Sequence, residues 1–178
     1  MIGYTGAFGN ANALEYLLSA ADILRNIKII FVLIGSGIEK AALIAMKEKL
    51  NVKNVYFFDS ITKTLIPSIL NYFDVLYIGW RDVDIYRFGI SANKLMDYMM
   101  SGKPILHSVS AGNDPVSEAK CGITVEPENP NAIADGIMEL VNMPENVRIE
   151  MGKRGRDYIL KNNTYSVLAK KFLNAISG

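Results

Sequence analysis

Short apolar runs rich in β-branched and aromatic residues recur at residues 2–4, 28–34, 55–58, 75–78, 104–107 and 123–125. Most are continuously hydrophobic, which is how strands buried on both faces read. Between them, Leu14, Leu17, Leu18, Ala21 and Leu24 fall at helical spacing, as do Leu43, Met46 and Leu50. This alternation predicts an α/β chain: a Rossmann-like three-layer domain with about six parallel strands and helices on both faces. Two helices are expected to close it, at 145–161 and 166–176, with Asn162-Asn163 as the break. No linker, repeat or low-complexity segment divides the chain, so residues 1–178 are expected to form one domain.

In open sheets of this kind, ligands bind beyond the carboxyl ends of the strands, where strand order reverses. The first such loop reads Gly3-Tyr4-Thr5-Gly6-Ala7-Phe8-Gly9-Asn10, a glycine-rich turn before a helix. Small residues there permit close backbone approach by a phosphate or sugar, which makes Gly6, Phe8 and Gly9 candidates. Its spacing is not that of a dinucleotide fingerprint. The second strand, moreover, ends in Gly35-Ser36-Gly37 and not in a ribose-binding acid, so a nicotinamide cofactor is disfavoured. Gly35, Ser36 and Gly37 offer backbone N–H groups to a phosphate or nucleotide edge, although a tight turn opening a helix is the simpler explanation. Phe58, closing the third run, joins this candidate donor-binding set.

The most informative stretch runs from Arg87 through Gly89-Ile90-Ser91-Ala92-Asn93-Lys94-Leu95-Met96-Asp97 to Gly102-Lys103-Pro104. Leu95, Met96 and Met99 mark the buried side of a helix beginning near Ser91 or Ala92, and Gly102 with Pro104 ends it. Its first turn would place Ser91, Asn93, Lys94 and free N–H groups around an anion. Asp97 lies one turn deeper on the same face, where a carboxylate accepts two ribose hydroxyls. The pattern is also met by Ser91 as a plain N-cap with Lys94 and Asp97 as solvated charges.

Composition narrows the field. Half of the residues are apolar, enough for a sizeable core, and a net charge of +1 with mixed signs gives no basic stripe for nucleic acid. A lone cysteine, Cys121, forms no intramolecular disulfide and reads as a small buried residue. No Cys, His and acid cluster has metal-ligand spacing, so no metal or other cofactor is expected. No run of about 18 apolar residues and no leader pattern is present, which points to the cytoplasm. His107, the only histidine, is expected to be structural. Ser110-Ala111-Gly112-Asn113-Asp114 suits a helix start, near a ligand or as an ordinary cap, and Trp80-Arg81-Asp82 would rim the cleft or face another domain.

Taken in order, Tyr4-Thr-Gly-Ala-Phe-Gly, Val32-Leu-Ile-Gly-Ser-Gly, Asn54-Val-Tyr-Phe, Lys94-Leu-Met-Asp-Tyr-Met-Met-Ser-Gly-Lys-Pro, Cys121-Gly-Ile-Thr-Val-Glu-Pro and Met151-Gly-Lys-Arg-Gly-Arg resemble the carboxy-terminal domain of GT-B glycosyltransferases of family 4, or group 1. The Ser91-Ala-Asn-Lys-Leu-Met-Asp-Tyr-Met version is similar to a branch that builds bacterial cell-surface polysaccharides. The resemblance implies the donor-binding half of a retaining hexosyltransferase. It would take a nucleoside diphosphate sugar, most often UDP-linked, and pass the sugar to a polysaccharide or lipid-linked acceptor. That acceptor would be held by an amino-terminal domain outside this sequence, in the same or a separate chain, and that domain could meet the inner face of the membrane. Without it this chain is expected to transfer nothing. The implied roles put Lys94 and Asp97 at the reaction, on diphosphate and ribose. A glutamate that the family carries eight residues before the Asp97 position is Gly89 here, and the cations of its first turn are replaced by Ala7 and Asn10 to Asn12. The alternative is a non-catalytic nucleotide-binding or interaction module on the same fold.

Overall fold

A computed structural model describes residues 1–177. Six strands, β1 (Ile2–Thr5), β2 (Phe31–Ile34), β3 (Val55–Phe58), β4 (Val75–Gly79), β5 (Ile105–Ser108) and β6 (Gly122–Val125), form one sheet in the order β3-β2-β1-β4-β5-β6. Every pairing is parallel, and Ile2 of β1 is in register with Phe31 on one side and Val75 on the other. From the β3 edge the chain returns to lay β4 on the other side of β1, so the crevice at the carboxyl ends of β1 and β4 is the switch point of a doubly wound sheet.

Among the described residues eight α-helices accompany it, α1 (Leu14–Ile23), α2 (Lys40–Leu50), α3 (Ile66–Leu70), α4 (Asn93–Ser101), α5 (Pro115–Glu118), α6 (Pro130–Asn142), α7 (Glu145–Asn162) and α8 (Tyr165–Ser177), the last without a buried residue. Alternate strand residues separate into two cores. Tyr4, Phe31, Leu33 and Leu106 pack with Leu17, Leu18, Leu43, Ile133 and Ile137 under α1, α2 and α6. Leu76, Ile78 and Ile105 pack with Leu70, Leu95, Met99 and Val116 under α3, α4 and α5, and α7 adds Ile159. Burial on both faces is what the unbroken hydrophobic runs require.

Most boundaries move by a single residue from expectation, and two differences matter for the site. The second strand starts at Phe31, not at Lys28, because the N–H of Ile29 is spent in a turn on the carbonyl of Ile27. Helix α4 starts at Asn93, with Ala92 in extended conformation as its cap and no side-chain cap, so Ser91 is not the N-cap.

Candidate functional site

Tyr98 fixes α4 over the end of β1. Its buried hydroxyl accepts the Thr5 N–H at 2.7 Å and donates to the Thr5 carbonyl at 3.1 Å. Burial, partly offset by those bonds to Thr5, pushes this phenol up to about 12. One helical turn before Tyr98, Lys94 is carried across the glycine-rich turn. Its Nζ donates to Tyr4 Oη and to Asn12 Oδ1, each at 2.8 Å, and lies 4.2 Å from the centre of the Tyr4 ring. Gly6 makes room for it: a Cβ there would stand 2.8 Å from Lys94 Cε. Among the described residues no carboxylate pairs with Lys94. Burial pulls its pKa down to about 7.

Lys94 lines a hollow of about 180 Å³ with Thr5, Gly6, Lys63, Ile66, Asn93, Asp97 and Tyr98. Gly6 and Ile66 also border a neighbouring hollow of about 250 Å³, completed by Ala7, Ile34, Gly35, Ser36, Ser60 and Ile61. The two share a wall over the carboxyl ends of β1 and β2; the first is lined by Lys63, Lys94 and Asp97, the second by no charged side chain. That division suits a ligand with an anionic middle and a flat, less polar end.

The structure thus brings Gly6, Asn93, Lys94 and Asp97 around one hollow and Gly6, Gly35 and Ser36 around the next. The other expected residues stand elsewhere. Phe8 is fully buried, packed against Tyr4 and Phe57 with ring centres 5.9 Å from each, so its side chain faces the core and not a ligand. Gly37 is small because a Cβ would meet the Phe8 carbonyl oxygen at 2.3 Å, and Gly35 because one would meet the Gly6 oxygen at 1.8 Å. Gly35-Ser36-Gly37 therefore clasps the first turn, and α2 begins only at Lys40. Gly9 caps the short 3-10 turn Asn10–Asn12. Phe58 ends the edge strand β3, and its carbonyl accepts from Gly35 N and Lys40 Nζ. Ser91 is exposed and lines neither hollow. Thr5, Tyr98, Lys63 and Ile66 were not anticipated. Thr5 was within reach, since it closes the first strand, whereas Lys63 and Ile66 lie in a connection with no motif.

On the other side of the switch point, Arg81 joins the turn after β1, the first turn of α1 and the loop after β6. It pairs with Glu15 and with Glu128, the latter at 3.0 Å, while Nε donates to the Asn10 carbonyl at 3.1 Å. His107, fully buried, accepts from Trp80 Nε1 at its Nε2 (3.1 Å), which leaves the proton on Nδ1 to be donated to Asp114 (2.9 Å). Asp114 caps α5 and also accepts from Thr124. Burial opposes its ionisation, but the bonds from His107 and Thr124 prevail and hold its carboxyl below the ordinary value.

At Gly89 the backbone has φ +105°, and a Cβ would lie 3.1 Å from Asn113 Oδ1. That amide accepts from Ile90 N at 2.7 Å and donates to its carbonyl at 3.0 Å, clamping the loop. Among the described residues no three metal-ligating side chains gather, and no helix is long and apolar enough to cross a membrane.

Residues 1–143 match the family model described as "Glycosyl transferases group 1". The chain belongs to that family. It is 26% identical over 186 aligned positions to "Putative colanic acid biosynthesis glycosyl transferase WcaI" of Escherichia coli (strain K12), covering all of this chain but only 43% of that relative. Its fold is similar to that of a TarM variant from S. aureus, solved in complex with Fondaparinux, alpha-GlcNAc-glycerol and UDP. The TM-score is 0.82 at 21% identity, over 97% of this chain and 34% of TarM. A solved C-terminal domain of the group 1 protein LpcC from Francisella tularensis superposes with a TM-score of 0.74 at 16% identity, covering 92% of this chain and 86% of that one. The chain is thus a carboxy-terminal-type domain of a group 1 glycosyltransferase, the Rossmann-like half of a GT-B fold.

Proposed function

We propose that this domain binds the donor in a retaining transfer from a nucleoside diphosphate sugar, UDP-linked, to a cell-surface polysaccharide or lipid-linked acceptor. The observation that carries the reading is Lys94, a cation without an acid partner beside two joined hollows at the switch point. The anionic diphosphate would lie against Lys94 and the amides of the β1–α1 turn, with the base toward Gly35, Ser36 and Ile61. Asp97, exposed at the edge of the charged hollow, would accept the ribose hydroxyls. During transfer, charge develops on the departing diphosphate, and Lys94 would stabilise it there. That WcaI is named for colanic acid biosynthesis, and that TarM was solved with UDP, supports the donor and the acceptor class. The acceptor would be held by residues outside this sequence, and no metal or other cofactor is invoked.

The turn at Gly89, open to glycine but not to a residue with a Cβ, favours a second reading, a nucleotide-binding module without transfer. The family's carboxylate would need a residue with a Cβ where the backbone takes φ +105°. The test is calorimetric titration of UDP-glucose and GDP-mannose into the chain, followed by a transfer assay after an acceptor-binding domain is supplied. Binding of neither nucleotide sugar overturns the donor reading. Binding without transfer selects the second.

A further inference from the structure

Lys94, Tyr4, Asn12 and the Ala7 carbonyl form a closed set of polar contacts. Tyr4 Oη has one proton and gives it to the Ala7 carbonyl at 2.6 Å, so only its lone pairs remain for Lys94. The Asn12 amide nitrogen donates to the same carbonyl at 3.1 Å, which turns Oδ1 toward Lys94. Both partners can thus accept from Lys94, and neither can offer it a proton. An ammonium has three N–H donors, whereas a neutral amine has two and a lone pair. Two positions are filled in either state, and the third has no protein partner among the described residues. Apart from the Tyr4 ring, whose face favours the ammonium, what that third position holds is the difference between the two protonation states.

We propose that Tyr4 and Asn12 are positioning residues that station Lys94 in the first turn as an anion receptor, and that this receptor takes up a proton when a diphosphate binds. An anion cannot rest against a lone pair, so occupancy selects the ammonium. The titratable groups facing Lys94 are Tyr4 from β1, Asp97 and Tyr98 from α4, and Lys63 from the loop before α3. Tyr4 is held far above neutrality by burial, and Tyr98 stays protonated as well. Asp97 and Lys63 are exposed at the rim of the hollow. Lys94, drawn down by burial, is the group left to exchange a proton. The geometry has a second consequence. Asn12 stands among the positions where the family resemblance leads one to expect a cation in the first turn, and the side chain that reaches it comes from α4. A charge lost from one element is supplied from another.

This inference rests on the donor reading, and the experiment separates the two. UDP-glucose and GDP-mannose are suitable probes, because a diphosphate esterified at both ends does not titrate near neutrality and every proton drawn from the buffer is therefore taken up by the protein. Calorimetric titration at pH 7.5 in HEPES and in Tris, whose ionisation enthalpies differ, measures that uptake. We expect about 0.5–0.8 proton per ligand in the unaltered chain. Lys94→Arg, always charged, should bind with no uptake. Tyr4→Phe and Asn12→Ala should each weaken binding about 5- to 10-fold, and neither should weaken it further in a Lys94→Met background. Binding without proton uptake, or equal losses from Tyr4→Phe with and without Lys94, overturns the proposal and leaves the donor reading standing. Absence of binding by either probe overturns both.

Discussion

The hydroxyl of Tyr98 and the backbone of Thr5 are joined by a buried pair of hydrogen bonds that fasten the middle of α4 to the last residue of β1. Tyr98→Phe leaves the Thr5 N–H without its partner inside the protein, which costs about 1–3 kcal/mol. Lys94 and Asp97 ride on the same helix, so ligand affinity should fall along with stability. Urea unfolding with nucleotide-sugar titration checks both, and an unaltered unfolding midpoint would show that the bond contributes nothing.

Lys94 and Asp97 should differ in what they cost. Lys94→Met is expected to weaken UDP by about 1.5–3 kcal/mol and uridine much less, because only the diphosphate meets the charge. Asp97→Asn should weaken both ligands by similar factors through the shared ribose. Titrating both ligands into both variants distinguishes the roles. Uridine binding lost in Lys94→Met but kept in Asp97→Asn would reverse the assignment.

Stability should climb with pH through the window that Lys94 defines. Below about 7 the lysine is charged in both folded and unfolded chains, and the cost of burying that charge counts in full against folding. Above its ordinary value of 10.5 it is neutral in both states and the cost is gone. In between, the unfolded chain holds more protons, so unfolding free energy rises with pH. Urea unfolding at pH 6, 7.5 and 9 should show this slope, flattened in Lys94→Met and with the variant gaining most at pH 6. Parallel slopes for the two proteins would count against a depressed Lys94.

Much of this architecture was legible because strands buried on both faces leave continuous hydrophobic runs, and all six runs became strands. What the pattern could not carry were contacts made by distance in sequence. Phe8 looked like part of a ligand turn, yet the two loops that meet there turn its ring inward against Tyr4 and Phe57. His107 had no acid in its own strand, and Asp114 reaches it only after the chain loops round to cap α5. Ser91 had the composition of a cap, but the helix begins after Ala92. The charged hollow was half visible: Gly6, Lys94 and Asp97 could be named, whereas Lys63 and Ile66 come from a connection whose residues carry no periodic signal.

Gly89 should resist substitution. Its φ of +105° is rarely open to residues with a Cβ, and Asn113 stands close by. Gly89→Ala is expected to lose about 1–2 kcal/mol, measured by thermal or urea unfolding. Gly89→Glu should not gain affinity for a nucleotide sugar, because the loop would have to be rebuilt before the carboxylate could reach one. Tighter nucleotide-sugar binding by that variant would contradict the clamp made by Asn113.

Arg81 touches the turn after β1 at Asn10, the first turn of α1 at Glu15 and the loop after β6 at Glu128. A single planar group thus works as a rivet through three layers of the rim. Segments widely separated along the chain cannot open independently while it holds, so any rearrangement there must either carry all three together or tear the guanidinium free of two carboxylates at once. The rim on that side of the cleft is therefore built to move as one plate, and the freedom to adapt to different ligands is left to the opposite side, where among the described residues the connection before α3 is held by the single exposed pair of Lys40 and Asp59.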